Sequence, residues 1–244
     1  MTDPDERRRC ADAVTTYIAT HVVRARESSS DEAAAWFRTA APSDELNAVL
    51  RLGGELPLEF ERLRTLFDGV PASWHCWREL DPPEVRDLFA RNGLSLFETE
   101  PLMVFVGPGE TASTPEPRIE EVTDDTGLAQ WAALWSGAAT TDALVPALRQ
   151  GMELGSTCYL LWREQGEVLA CAAVVTSDAG ASLEHIVTRA DHRGRGIGTV
   201  LTRRALELAL DFGSDRVVLT ASPDGEHIYR RLGFVTVGHV DRYA

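Results

Sequence analysis

Lysine is absent from all 244 residues, and each of the 24 basic side chains is an arginine. That excludes a lysine-dependent phosphate loop, a Schiff-base lysine and pyridoxal-phosphate chemistry on this chain. Positive charge is scarce as a whole, with a net charge of −14. Nucleic acid needs a basic face for its phosphates, so no nucleic-acid partner is expected. The four cysteines, Cys10, Cys76, Cys158 and Cys171, stand far apart without paired spacing. Neither a zinc motif nor a CxxC redox pair is present, and no metal is expected. No apolar run reaches the length of a membrane span. The charged stretch 2–9 is not followed by the apolar segment of a signal peptide. A cytoplasmic protein without a membrane partner is the expectation.

What is present is ordinary for a globular protein, with 44% hydrophobic and 25% charged residues. Apolar spacing predicts a helix over 5–26, carrying Ala13, Val14, Tyr17, Ile18 and Val22 on one stripe. Residues 27–44 are Ser- and Asp-rich around Trp36 and Phe37, and 46–52 reads as a strand. A helix over 58–67 follows Pro57, a Trp-rich strand covers 73–80, and a further helix runs from Pro82-Pro83 to Asn92-Gly93. Residues 94–106 read as extended and broken at Pro101, and no catalytic constellation is visible in this half. Residues 108–117 hold prolines and no large apolar side chain, so they read as a linker between domains 1–107 and 118–244. Beyond it the pattern is β-α-α-β-β-β-α-β-α-β, with a hairpin turn at Gln165-Gly166. Such an order implies an α/β fold with a mixed sheet and helices on both faces.

Residues 181–201 organise the second half. A strand ending near Thr188 feeds a loop with Gly194, Gly196 and Gly198, and a helix opens at Ile197. First-turn N–H groups lack intrahelical partners and the helix dipole favours an anion there, so the loop reads as a phosphate cradle. The spacing lacks a residue required of a dinucleotide fingerprint, and without lysine a Walker loop is impossible. Plain turn glycines beside solvated arginines remain the alternative.

Arg193-Gly194-Arg195-Gly196-Ile197-Gly198 resembles the Arg-x-x-Gly-x-Gly/Ala signature of the GNAT superfamily of acyl-CoA N-acyltransferases. Residues 219–234, closing on Tyr229-Arg-Arg-Leu232-Gly233-Phe234, resemble that family's second motif. The resemblance covers 118–244 and implies the family's fold there. Pro71-x-x-Trp74, Leu88, Gly93-Leu94 and Glu100-Pro101-x-Met103 resemble the degenerate first half of two-domain members; an unrelated α/β cap is the alternative.

The resemblance implies an N-acetyltransferase with acetyl-CoA as cosubstrate and a small-molecule or peptide primary amine as acceptor. It places the cofactor on Ile186, Val187, Thr188, Arg193, Gly194, Arg195, Gly196, Ile197, Gly198, Thr199, Ser222 and Tyr229, with the Val187 N–H facing the oxyanion. Ser222 stands where many members have Asn, and Gly225 where a small Ala is common. Tyr229 would protonate the departing thiolate, or else be a core tyrosine. Glu184 would be the base, since strand alternation lets only one of Glu184 and His185 face the cleft. The acceptor wall falls within 124–152, with Trp131, Trp135 and Met152 as candidates beside a core-packing role. The chain would be a monomer that is already a pseudo-dimer, or a homodimer. A non-catalytic acyl-CoA sensor of the same fold is the alternative function.

Overall fold

The computed structural model describes residues 3–21, 27–38, 44–107 and 116–244. Most of the 108–117 linker, and Val22 of the first stripe, lie outside the described residues.

Helix α1 (Pro4–His21) leads into strands β1 (Glu27–Ser30), β2 (Ala34–Arg38) and β3 (Asn47–Leu52). Helix α2 (Leu56–Leu66), strand β4 (Ser73–Trp77), helix α3 (Pro83–Arg91) and strand β5 (Leu96–Phe105) complete the first half. The second half holds β6 (Ile119–Glu121), α4 (Asp125–Ser136), α5 (Thr141–Glu153), β7 (Thr157–Glu164), β8 (Glu167–Ser177) and β9 (Gly180–Thr188). It ends with α6 (Ile197–Asp211), β10 (Val217–Thr220), α7 (Glu226–Arg231) and β11 (Phe234–Tyr243).

Local chemistry explains most of these boundaries. The Asp124 side chain accepts the Gly127 N–H at 2.8 Å and caps α4. Gln165 and Gly166 both take positive φ, 53° and 85°, which suits the twist of the β7–β8 hairpin. Pro83 opens α3, and Gly93 follows its end with φ +84°.

One strand goes beyond the sequence reading, and one reading needs correction. The Ser-rich stretch 27–30 is a strand, although it lacks apolar alternation. The Asp31 carboxylate accepts the N–H groups of Ala33 and Ala34 and tightens the turn that folds β1 back onto β2. Strand β5 also runs unbroken through Pro101. That residue lies opposite His239, just past a bulge between Thr236 and Gly238 of β11, where a missing ladder donor is tolerated.

All the strands form one 11-stranded sheet, ordered β1-β2-β3-β4-β11-β5-β10-β9-β8-β7-β6. The two halves run through the same elements: β1-β2-β3-α2-β4-α3-β5 and β7-β8-β9-α6-β10-α7-β11. Each half surrenders its last strand. β11 lies between β4 and β5, and β5 lies between β11 and β10. The antiparallel β5–β11 pair is therefore the seam of the molecule.

One face of the sheet is covered by α1, α4 and α5. There Ala13 and Val14 pack with Trp77, Leu102 and Val240, and Trp131 packs with Tyr159, Ala48 and Leu50. The other face is covered by α2 and α3 in the first half and by α6 and α7 in the second. Among the described residues no helix is long and apolar enough to cross a membrane.

Candidate active site

β9 and β10 pair in parallel only at Ala181↔Val217 and Ser182↔Val218, and they separate beyond that point. A cleft of about 1150 Å³ passes through the gap. One mouth is formed by the loop before α6 and by α7, and the other opens on the face of α1 and α4.

At the first mouth Gly194 and Gly196 adopt φ +76° and +79°, with nothing within 4 Å of where a Cβ would stand. Gly196 caps α6 in the left-handed conformation, no side chain caps its first N–H groups, and the first turn has no acidic residue. The Val200 N–H is the first to bond back, to the Gly196 carbonyl at 3.1 Å. The N–H groups of Ile197, Gly198 and Thr199 thus point outward at the positive end of the dipole, and all three residues line the cleft. Open space at the glycines and uncapped donors fit a diphosphate. Arg193 also lines the cleft, with Nε on the Thr188 carbonyl at 3.3 Å. Arg195 is not among the lining residues; it turns to Glu164 at 2.8 Å.

β9 carries a bulge at its centre. Ala173 pairs with Glu184 and Cys171 with Val187, so two residues of β9 oppose one of β8. His185 takes φ +51° there. The Ala172 carbonyl, opposite the bulge, accepts the Trp131 indole N–H at 2.8 Å. The bulge cancels strict alternation, and Glu184 and His185 both line the cleft, contrary to the expectation that only one would. His185 packs on Trp135, with ring centroids 3.9 Å apart, and burial pushes its imidazole down to about 3.

The expected role of the Val187 N–H also changes. Val187 is the ladder partner of Cys171, and its N–H, two residues before that of Arg189, faces β8; the Cys171 sulfur donates to the His185 carbonyl at 3.5 Å. Because the 185–186 peptide is trans, the Ile186 N–H points the opposite way, out of the ladder. Beyond it, the Arg189 N–H bonds back to the Leu169 carbonyl, and alternation turns the Thr188 N–H toward the open edge.

The second mouth has a floor of polar side chains that follow the strand order. His75 on β4 is the register partner of Arg242 on β11, which is also the partner of Glu98 on β5. Arg242 reaches Glu98 at 3.5 Å and Glu100 at 3.4 Å. Thr220 on β10 and Glu184 on β9 complete the row. Glu184 is 8% exposed and accepts the Ser182 hydroxyl. Burial drives its carboxyl up to about 8, against the lowering hydrogen bond from Ser182 and with further lifting by Glu100. Burial raises Glu100 as well, and it holds His75, whose Nε2 lies 3.0 Å from Ser73 Oγ, neutral well below its usual range.

Tyr229 sits between the two mouths. It is 8% exposed, and burial, with the charges of Glu184 and Glu100, pushes its phenol up to about 12. A Cβ on Gly225 would stand 3.0 Å from the Tyr229 ring, so glycine there leaves room for it. Ser222 lines the cleft, and its Oγ accepts the Gly225 N–H at 3.2 Å. His227 lines the cleft too. Of the proposed acceptor-wall residues, Trp131 is wholly buried and Met152 packs against the core, while Trp135 faces the cleft.

Ser73, His75, Glu98 and Glu100 escaped the sequence reading. They lie in the half that shows no catalytic constellation. For Ser73 and His75 the available signal was polarity between the buried Ala72, Trp74 and Cys76; Glu98 and Glu100 follow exposed positions of β5 and carry no such signal.

The acetyltransferase (GNAT) family model matches residues 126–234. Over 94 residues the chain is 31% identical to the streptothricin acetyltransferase of Streptomyces lavendulae, a match that covers 36% of this chain and 50% of that one. Over 56 residues it is 38% identical to probable glucosamine 6-phosphate N-acetyltransferase 2 of Oryza sativa subsp. japonica, covering 23% and 34%. The matched stretches thus span half or less of these relatives. A solved GCN5-related N-acetyltransferase from Kribbella flavida shares the fold over 96% of this chain and 93% of its own, with a TM-score of 0.69 at 21% identity. Residues 126–234 thus match the acetyltransferase (GNAT) family in sequence, and the chain as a whole shares the α/β fold of a solved GCN5-related N-acetyltransferase, with a cleft through its splayed strands.

Proposed function

We propose that the protein transfers the acetyl group of acetyl-CoA to a primary amine by direct attack, with both substrates bound at once. One observation carries this reading: a single cleft joins an anion-holding helix end to buried carboxyls through the gap between β9 and β10. We read residues 1–107 as a GNAT-like half without a phosphate loop, joined through 108–117 to the acetyltransferase domain 118–244. The matching element order of the two halves supports that division.

Each residue then has a role. The first-turn N–H groups of α6 hold the diphosphate, and the unpaired edge of β9 lies along the pantetheine arm. Glu184, once ionised, takes one proton from the incoming ammonium. The nitrogen forms its bond to the acetyl carbon as the carbon–sulfur bond breaks. The Ile186 N–H faces the carbonyl oxygen as it gains charge. Tyr229, protonated across the working range, gives its proton to the thiolate, and the remaining nitrogen proton balances that loss.

The test is calorimetry with acetyl-CoA, followed by thiol release against polyamines, amino acids, aminoglycosides and lysine peptides. Protein that binds no acetyl-CoA would overturn the reading. Binding without transfer to any amine would favour the sensor alternative. Tyr229→Phe is expected to slow turnover about 10- to 100-fold with little change in acetyl-CoA affinity; unchanged turnover removes it as the acid.

A further inference from the structure

The buried carboxyl that the mechanism leaves unused is Glu100. It stands on β5, the strand that the first half inserts between β10 and β11. It is 8% exposed and lines the same cleft as Glu184. Its Oε2 accepts no hydrogen bond, and the nearby Arg242 Nε, at 3.4 Å, makes an ion pair without hydrogen-bond geometry. Only β10 separates β5 from β9, and the β10 side chain between the two carboxyls is Thr220, which lines the same cleft. A buried acceptor atom without a donor, facing a cleft that admits an amine, lacks the hydrogen bond that an ammonium group would supply.

We propose that Glu100 and Glu184 titrate as one coupled carboxyl pair across β10, holding a single proton between them, so that the first half supplies a working part of the active site. The proposal rests on the acetyl-transfer reading for its purpose. The pair itself exists or fails independently of it. Their backbones lie two strand spacings apart, roughly 10 Å, and two carboxylates at that range in one buried cleft cannot both ionise easily, so the second proton is held to higher pH. The other groups around the pair are Arg242 on β11, Glu98 on β5, His75 on β4, Tyr229 on α7 and His185 on β9. His75 and His185 are kept neutral by burial, and Arg242 also meets Glu98. Arg242 is thus shared between two carboxylates, and the pair retains net negative charge when it holds one proton. That charge draws the ammonium in. The arriving cation replaces the shared proton, which leaves to solvent, and Glu184 is then ionised beside the nitrogen it must deprotonate. Glu100 is a positioning residue in this scheme, acting on the chemistry through Glu184.

The experiment is an infrared pH titration of the protonated-carboxyl band in the full-length protein without substrate. Glu184→Gln identifies the band by removing it. Glu100→Gln is expected to lower the Glu184 midpoint by about one pH unit or more. Glu100→Asp, which keeps the charge, is expected to restore it. A Glu184 midpoint that does not move in Glu100→Gln, or that moves equally in Glu100→Asp, overturns the pair. Circular dichroism of both variants confirms that each is folded, and Glu100→Asp serves as the folded control if the glutamine variant is not. The titration needs no acetyl-CoA, so its failure is distinct from a failure of acetyl transfer.

Discussion

At the end of β3 the chain passes through Gly53 and Gly54 into α2, and at the end of β9 it passes through Gly194 and Gly196 into α6. The two junctions hold matching places in the two halves, and their chemistry is opposed. Glu55 caps α2, Glu59 lies in its first turn and a proline replaces one of its N–H donors. Negative charge and a lost donor close that helix end to anions. Gly196 caps α6, which has no acidic residue in its first turn. Even the glycines differ in purpose. A Cβ on Gly53 would stand 2.9 Å from the Glu32 carbonyl, so Gly53 serves packing, whereas Gly194 and Gly196 face open space. The gap between strands differs likewise. β9 and β10 enclose a cleft, but Trp77, 3% exposed, donates its indole N–H to the Leu50 carbonyl at 3.0 Å between β3 and β4. One half keeps a gap and an uncapped helix end, and the other fills the gap with core and places negative charge at its helix end.

Trp77→Ala should break the comparison most severely. Removing a buried indole and its hydrogen bond is expected to cost about 3–5 kcal/mol of stability in urea denaturation. A loss under 1 kcal/mol would show that the indole is not what fills the gap.

Glu184→Gln comes next, with turnover expected to fall about 100-fold or more at unchanged acetyl-CoA affinity. In the wild type, activity should climb with pH up to about 8, because the protonated carboxyl accepts no proton. Stability runs the other way. The Glu184 carboxyl is raised from 4.5 to about 8, so wild-type stability is full below 4.5 and is lost as pH rises through 8. The glutamine variant should therefore gain stability over the wild type across that window, on the order of a few kcal/mol, read as a melting-temperature difference that grows with pH. A difference independent of pH would contradict the buried-acid description.

Thr199→Glu gives α6 the acidic first turn of α2. Acetyl-CoA affinity should fall about tenfold by calorimetry. The reverse exchange sharpens the point. Glu55→Ser with Glu59→Ala frees the α2 end of its nearby carboxylates and should create no acetyl-CoA site while Trp77 fills the gap. The smallest effect belongs to Arg195→Ala. Because this guanidinium pairs with Glu164 away from the cleft, affinity should change less than about twofold; a tenfold loss would return Arg195 to the loop.

Much of the second half was legible because its signals are local. Gln165-Gly166 dictates a hairpin, Asp124 caps a helix, and the glycines before Ile197 specify a left-handed turn into α6. The site was legible where it consists of backbone at the end of a motif. It was illegible where it depends on strand neighbours. Nothing in 27–30 announces a strand, because β1 exists through its pairing with β2. Nothing beside His185 announces a bulge, because its positive φ is held by Trp131 on one side and Cys171 on the other.

By itself the sequence determined the cradle: Arg193, the glycines around it and the helix behind them form an uncapped helix end from groups within a few residues of one another. Tyr229 belongs to the same class, since its motif and its short helix are contiguous. Only the tertiary structure decided that β5 crosses into the second half, bringing Glu100 into the cleft with Glu184, and that β11 crosses back with Arg242. The reason is physical. A helix end is built from neighbours in sequence, whereas the floor of a sheet is built from neighbours in strand order, and here that order exchanges the last strand of each half.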